Sequence, residues 1–246
     1  MKNYKHVIGL LETLKLKGIT QNIDKQLSAA DEKKLSYLNF LKCLLESEVS
    51  YRTERRLSRN LIGAHFPTEK HLKDFQFNRV EGITESDISN LEDFVWLDNH
   101  VNLLFFGPPG LGKTHLSIAI GLKAIQAGYT VCFERVANLI KLLKTADIQR
   151  SAGFRVNRIL KSDLILIDEI GYTPIERKEA NLFFNLISEL YEKASVIITS
   201  NKGFDEWAEM MGDEVMTVAM LDRLLHHSKV FNLSGKSYRI QEGEED

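Results

Sequence analysis

The sequence has few of the residues that define several protein classes. Its 246 residues include only two cysteines and four prolines. Cys43 and Cys132 lie far apart, without a CxxC motif, which excludes a disulfide-rich scaffold and a cysteine-based zinc site. We expect two buried, reduced thiols. No run of 18 apolar residues exists, which excludes a transmembrane helix, and the N-terminus lacks the order of a signal peptide. We therefore expect a cytoplasmic protein.

The net charge of −2 hides an uneven distribution of charge. Residues 1–70 contain 13 Lys/Arg and 8 Asp/Glu, whereas the rest of the chain contains 19 and 26. Within that acidic part, residues 135–161 contain seven Lys/Arg and only one acidic residue, Asp147. Local positive charge on an acidic protein is typical of a surface that binds a polyanion. Ordinary solvated charge is the alternative.

The spacing of apolar residues changes near Pro67. Residues 1–65 have helical spacing, with one helix expected to end at Gly18, a second around 20–30 and a long third from about 36 to 61. From Val101 onward, apolar runs of four to six residues alternate with amphipathic segments, as in parallel sheets covered by helices on both faces. We therefore predict a helical domain at residues 1–68 and an α/β domain at residues 69–246.

The long third helix is predicted to end in a cationic stripe. Four arginines are spaced at i, i+3, i+4 and i+7, so they lie on one face and continue an apolar stripe from the first half of the helix. They are Arg52, Arg55, Arg56 and Arg59. This stripe fits two roles equally well. One is phosphate binding, and the other is contact with a protein partner or a neighbouring subunit.

A glycine-rich loop follows the first apolar run of the α/β region. Residues 107–114 (GPPGLGKT) match GxxxxGK[ST] at every fixed position, between a predicted strand and a predicted helix. The glycines let backbone N–H groups surround a phosphate, and the positive end of the helix faces the same anion. Lys113 is expected to reach the β- and γ-phosphates, and Thr114 to ligate Mg²⁺. The predicted ATP-binding residues are Gly107, Pro108, Pro109, Gly110, Leu111, Gly112, Lys113 and Thr114.

Two carboxylates follow a second apolar run at residues 164–167 (LILI). Such a run is typical of a buried central strand, which delivers the next residues to the edge of the sheet where ligands bind. Asp168 is suited to hold Mg²⁺ through water, and Glu169 to polarise the attacking water. The pattern is common by itself and indicates ATP hydrolysis here because it follows the glycine-rich loop.

Two further features have two interpretations each. Asn201 follows the strand predicted at residues 195–200, where it can contact the γ-phosphate or orient the water, or simply form the turn before Lys202. Phe75 and Phe77 precede the loop strand at a distance suited to an adenine-contacting segment, and core packing is the alternative.

Together these motifs resemble the AAA+ superfamily, and within it the initiator and helicase-loader clade. Four segments resemble the IstB-type transposition helper ATPases: residues 51–57 (YRTERRL), 64–67 (AHFP), 220–228 (MLDRLLHHS) and 235–239 (GKSYR). This resemblance covers nearly the whole chain. The DnaC-type helicase loaders resemble residues 100–240 almost as closely.

The resemblance implies a five-stranded parallel sheet in the order 5-1-4-3-2 and ATP sites shared between neighbouring subunits of a ring or helical oligomer. Arg223 would then complete the neighbour's site as an arginine finger; the alternative is a surface arginine beside Asp222. One departure from most AAA+ ATPases is expected: the chain ends soon after Arg239 and leaves no room for a C-terminal helical lid. Arg239 is therefore a weak candidate for the arginine that such lids contribute.

The resemblance implies a bacterial protein whose partners are duplex DNA, bound with little sequence preference, and a cognate transposase. The basic segment 135–161 follows the second strand and helix, where the clade inserts an extra helical element. The candidate DNA contacts are Lys141, Lys144, Arg150, Arg155 and Arg158, together with the four arginines of the stripe. A helicase loader and a nucleotide-dependent scaffold that scarcely hydrolyses ATP are the competing hypotheses.

Overall fold

A computed structural model describes residues 2–171 and 175–238 of the chain. The chain divides into two compact units, Met1–Arg59 and Asn60–Asp246. The domain boundary expected after residue 68 stays a prediction. In the part of the chain that the structure describes, no helix is both long and apolar enough to cross a membrane.

The first unit is helical, as predicted. It contains α1 (Lys2–Thr13), α2 (Lys17–Glu32) and most of α3 (Tyr37–Ala64). The expected helix end at Gly18 is wrong, because α1 ends at Thr13 and Gly18 lies in α2. A Cβ atom on Gly18 would lie 2.7 Å from the carbonyl oxygen of Ser47. Gly18 therefore permits a close approach of two helices rather than ending one.

The second unit alternates strands with helices. The strands are β1 (Asn102–Phe106), β2 (Val131–Arg135), β3 (Leu164–Ile170), β4 (Ser195–Ser200) and β5 (Ser228–Asn232). The helices are α4 (Glu85–Ser89), α5 (Val95–Asp98), α6 (Lys113–Ala127), α7 (Val136–Thr145), α8 (Arg150–Leu160), α9 (Arg177–Leu190), α10 (Phe204–Met211) and α11 (Glu214–His226). A two-residue pairing joins Val80–Glu81 to Ser234–Gly235.

The five strands form one sheet in the order β2-β3-β4-β1-β5. Every neighbouring pair is parallel. This confirms the expected order 5-1-4-3-2, taken from the opposite edge. The order places the carboxyl ends of β1, β3 and β4 beside one another, so the segments that follow these strands meet at one rim of the sheet.

Two apolar cores cover the two faces of the sheet. Along β1, Leu103 and Phe105 point into one core, whereas Leu104 and Phe106 point into the other. This alternation follows from the two-residue period of a strand. Because both faces are buried, the strand is apolar at nearly every position, which explains why a continuous apolar run predicted it.

Apolar spacing did not predict helix α8, because its apolar stripe is narrow; only the family resemblance implied an extra helical element in this segment. The buried residues of α8 are Ala152, Arg155 and Ile159. Arg155 occupies a core position that an apolar residue fills in most amphipathic helices. Because a charged residue lies at this core position, the apolar spacing of the segment does not indicate a helix.

Arg155 is 8% exposed and forms an ion pair with buried Glu134, with Nε 2.6 Å from the carboxylate. Its other N–H groups donate to the carbonyl oxygens of Gly63, Ala64 and Phe133 and to the sulfur of Cys132. Two of these carbonyls belong to the last turn of α3, where no helical N–H remains to bond them. The structure thus corrects the expectation that Arg155 contacts DNA, because its guanidinium is buried and fully engaged within the protein.

We expect Arg155→Ala to lower the free energy of unfolding by about 3–5 kcal/mol, because it leaves the Glu134 carboxylate buried without its counter-ion. Urea denaturation followed by circular dichroism measures this change. Lys161→Ala is the control, since Lys161 is exposed at the end of the same helix. Equal midpoints for the two variants would show that the Arg155 network contributes little.

Candidate functional site

The glycine-rich loop connects β1 to α6. Gly107, Gly110 and Gly112 have φ values of 138°, 84° and 80°, a region that side chains disfavour, so the loop conformation depends on glycine. Helix α6 begins at Lys113, directly after the loop glycine Gly112. The Lys113 ammonium donates to the carbonyl oxygens of Gly107 and Pro108 at 2.6 and 2.7 Å, which places the cation within the curve of the loop.

Asp168 lies beside this loop. Its Oδ1 accepts hydrogen bonds from the hydroxyls of Thr114 at 2.8 Å and Thr199 at 2.5 Å. The three residues come from α6, β3 and β4, and Asp168 is only 1% exposed. The predicted pair Thr114 and Asp168 is therefore in direct contact, although 54 positions separate them in the chain.

The second carboxylate oxygen of Asp168 fits a cation. Oδ2 is buried and has no hydrogen-bond partner among the described residues. A buried carboxylate oxygen without a partner is costly unless a cation or an ordered water satisfies it. Carboxylate and hydroxyl oxygens are also the ligands that Mg²⁺ prefers. The donor set at Thr114 and Asp168 is thus suited to Mg²⁺.

Glu169 lies next to Asp168 at a distortion of the sheet. The pairing of β3 with β4 is irregular between Ile167 and Ile170, and Glu169 has a φ of 65°. Bulges of this kind redirect side chains next to active sites. The Glu169 carboxylate forms an ion pair with Arg135 of β2 at 3.3 Å, and both side chains remain partly exposed. Glu169 is therefore accessible to solvent on the same rim.

Asn201 lies directly after β4, and its side-chain oxygen is buried without a hydrogen-bond partner among the described residues. It lines one cavity together with Lys113, Thr114 and Glu169. The structure thus brings Asn201 to the predicted site, with a polar atom still able to bond a ligand or water.

Aromatic residues form another wall of this cavity. Phe75 packs edge-on against His115, with ring centroids 5.6 Å apart, and lies close to Gly112. The Tyr238 N–H donates to the carbonyl oxygen of Gly110 at 3.0 Å. Phe75, His115 and Tyr238 all line the cavity. Phe75 is buried yet borders the cavity, so core packing and contact with an adenine base are compatible roles for this residue.

Arg223 is not in this cavity. It lies on α11, donates to the carbonyl oxygen of Ala219 at 2.7 Å, and stacks over Phe184 with its guanidinium carbon 5.0 Å from the ring centre. It lines a different cavity, with Tyr191 and His227. Within one chain, the structure does not bring Arg223 to the phosphate-binding loop. Arg239 lies outside the described residues.

The basic residues of the second unit are distributed over two helices. Lys141 and Lys144 lie on α7, and Lys144 is paired with Glu179 at 2.8 Å. Arg150, Arg158 and Lys161 are exposed at one face of α8 and its C-cap.

In the first unit, the four arginines of the stripe are all exposed on α3. Arg52 forms an ion pair with Glu48 at 2.7 Å. Arg55 lies over the ring of Tyr51, with its guanidinium carbon 5.8 Å from the ring centre. The predicted stripe therefore exists as a surface feature, but part of its charge is already engaged.

Arg135, Thr199 and Tyr238 are among the cavity residues that sequence reasoning missed. Thr199 was included only as part of a predicted strand, and Arg135 only as part of a basic segment. The pairing register of β3 and β4 identifies Thr199 as a site residue. Leu164 pairs with Ser195, and the same difference of 31 positions places Asp168 beside Thr199. Two parallel strands with polar ends thus define a shared site once their pairing is known.

Comparisons with known proteins identify the family. The family model described as IstB-like ATP binding protein matches residues 9–245. A protein of Pseudomonas aeruginosa, named for ATP binding in insertion sequence IS21, is 40% identical over 233 residues, covering 95% of this chain and 88% of that protein.

Solved structures show the fold. The DnaI structure has a TM-score of 0.56 at 16% identity and covers 67% of this chain and 91% of that one. The DnaC helicase loader has a TM-score of 0.51 at 21% identity and covers 61% and 87%. The likeness is to AAA+ folds, as expected. With a family match over almost its whole length, this chain belongs to the family of IstB-like ATP-binding proteins.

Proposed function

We propose that the protein binds ATP with Mg²⁺ at the loop of residues 107–114 and hydrolyses it. The observation that supports this proposal is that Lys113, Thr114 and Glu169 line one cavity at the rim of the parallel sheet, while buried Asp168 accepts a hydrogen bond from Thr114 at the same rim. An ammonium group, a hydroxyl and two carboxylates at such a rim match the requirements of phosphoryl transfer, in which positioning and charge stabilisation supply most of the rate.

Each residue has a distinct role in the proposed reaction. The backbone N–H groups of the loop and Lys113 bind the phosphates. Thr114 and Asp168 would hold Mg²⁺, which would neutralise charge on the phosphate oxygens. Glu169 accepts a hydrogen bond from the attacking water and orients it. Asn201 orients the same water or the γ-phosphate through its amide.

Arg223 has a role only if a second subunit takes part. Its position outside the cavity of its own chain fits a finger that enters a neighbouring subunit's site, where a guanidinium stabilises charge in the transition state. We therefore propose a ring or helical oligomer with ATP bound at the subunit interfaces.

We further propose that the oligomer binds duplex DNA and recruits or activates the transposase of an insertion sequence. The 40% identical relative is named for an insertion sequence, and the exposed face of α8 is suited to DNA. Arg150, Phe154 and Arg158 recur at intervals of four residues and so lie on one face. The Arg150 guanidinium lies 5.3 Å from the ring centre of Phe154, which is 62% exposed.

This surface predicts binding with little sequence preference. Cationic side chains contact phosphates, which fix position without conveying sequence. We expect Arg150→Ala combined with Arg158→Ala to weaken duplex binding about tenfold and to reduce the salt dependence, as the slope of log K against log [salt], by about two. Fluorescence anisotropy with labelled duplexes at several salt concentrations, in the presence of ATP, measures both quantities.

Two controls accompany this experiment. Lys178→Ala removes an exposed charge on α9 and should leave the slope unchanged, while Lys113→Ala should abolish the ATP-dependent part of binding. An unchanged salt slope in the double variant would exclude α8 as the DNA surface. Sequence-selective binding without ATP would contradict the proposed mode.

A helicase loader is the second candidate, because the fold is shared with the DnaC helicase loader. Competition between duplex and single-stranded DNA separates the two functions. Preference for duplex supports the transposition role. Strong preference for single strands, together with co-purification of a replicative helicase, would instead favour the loader.

A further inference from the structure

We propose a binding site for a divalent transition metal of the zinc class, formed by Glu192, His226 and His227. One carboxylate oxygen and one ring nitrogen from each histidine all lie within 4.8 Å of one another. The site is separate from the cavity at the phosphate-binding loop, since none of the three residues lines that cavity. It is formed by two segments that are 34 positions apart in the chain.

The donor set selects the class of metal. Two imidazoles and one carboxylate are borderline ligands that suit Zn²⁺ and similar ions better than Mg²⁺ or Ca²⁺, which prefer oxygen. A tetrahedral zinc ion with bonds of about 2.0–2.1 Å holds its ligand atoms about 3.4 Å apart. All three side chains are exposed, so side-chain rotation can bring the donor atoms closer together. Three protein ligands leave a fourth position for water or another group.

A tyrosine orients one of the histidines. The Tyr191 hydroxyl lies 2.8 Å from Nδ1 of His226. A histidine that binds metal usually has its other ring nitrogen hydrogen-bonded to an oxygen, which fixes the tautomer and the ring direction. Tyr191 therefore occupies Nδ1 and leaves Nε2 of His226 for the metal.

The backbone places all three ligands at helix ends. Tyr191 is the C-cap of α9 and His227 is the C-cap of α11, and α9 packs against α11. Helix C-termini have partial negative charge, which favours a cation nearby. Glu192 follows α9 with a φ of 57°, an uncommon conformation for a residue with a side chain. Two helix ends and the Glu192 carboxylate thus contribute negative charge at the site, which offsets the positive charge of Arg223 in the same cavity.

A bound ion would connect the end of α9 to the end of α11. Arg223 lies one helical turn before His227 on α11, and both residues line one cavity with Glu192. The ion would therefore restrain the segment of helix that presents Arg223. Only this consequence depends on the proposed function; metal binding itself does not.

Cobalt spectroscopy of the full-length chain without an affinity tag tests the site. Co²⁺ replaces Zn²⁺ and gives visible absorption bands whose intensity reports four-coordinate binding. We expect one equivalent of Co²⁺ to bind the wild-type protein in excess Mg²⁺, and added Zn²⁺ to displace it. His227→Ala and Glu192→Gln should lose the band, whereas Tyr191→Phe should weaken binding about 10- to 100-fold while retaining the band.

His6→Ala is the matched control, because His6 is an exposed histidine in the first unit. It should bind Co²⁺ as the wild type does. A thermal melt provides the second measurement: Zn²⁺ should raise the melting temperature of the wild type and of His6→Ala, but not of His227→Ala. The proposal is overturned if the wild type shows no four-coordinate band, or if His227→Ala and Glu192→Gln bind as tightly as the wild type.

Discussion

Glu169→Gln is expected to lower ATP turnover by about 10²–10⁴-fold, the contribution of a positioned general base, while leaving ATP affinity nearly unchanged. Glutamine has the size of glutamate but cannot accept a proton from water. The phosphate ligand Lys113 and the proposed Mg²⁺ ligands Thr114 and Asp168 remain in place, so binding persists. Phosphate release measures turnover, and titration with a fluorescent ATP analogue measures affinity.

Folding is not expected to change in this variant. The ion pair between Arg135 and Glu169 joins two side chains that are 55% and 37% exposed, and such pairs contribute little to stability. Glu209→Gln is the control, an exposed glutamate on α10. Equal turnover in wild type and Glu169→Gln would remove the catalytic role of Glu169 and favour a nucleotide-dependent scaffold.

Arg223→Ala is expected to lower turnover by about 10³–10⁵-fold, the range for arginine fingers. Each chain would retain an intact loop with Asp168 and Glu169, so nucleotide affinity should change less than turnover. The structure permits a sharper test, because Arg223 lies outside the cavity of its own chain. The finger must then come from a second subunit.

Mixing two inactive variants tests that arrangement. In a mixed oligomer, a Glu169→Gln subunit donates its intact Arg223 to the intact site of an Arg223→Ala subunit. The mixture should therefore hydrolyse ATP faster than either variant alone. A mixture no faster than the sum of its parts, or an Arg223→Ala protein as active as Lys178→Ala, would show that Arg223 is not a finger.

The sequence predicted the parts of the site that are local in the chain. The loop at residues 107–114 requires glycine at fixed spacing, and a buried strand must be apolar before it ends in Asp168 and Glu169. These are short-range requirements of backbone conformation and burial, so they are visible in order along the chain. The same reasoning predicted the helical first unit, whereas the strand order was expected only from the family resemblance.

Long-range partners were not predictable in this way. Arg155 was expected at the surface because arginine is usually exposed. Only the fold supplies Glu134 and the end of α3 as partners that make its burial favourable. Thr199 became part of the site through the pairing of β3 with β4, and His226 and His227 gained Glu192 through the packing of α9 on α11.

The sequence by itself thus determined that this chain forms a parallel sheet with a phosphate-binding loop, because periodicity and glycine spacing depend on neighbouring residues. Tertiary structure alone decided which distant side chains share a cavity, which arginine is buried, and that Arg223 lies outside the cavity of its own chain. Those outcomes depend on strand register and helix packing, which join residues far apart in the chain.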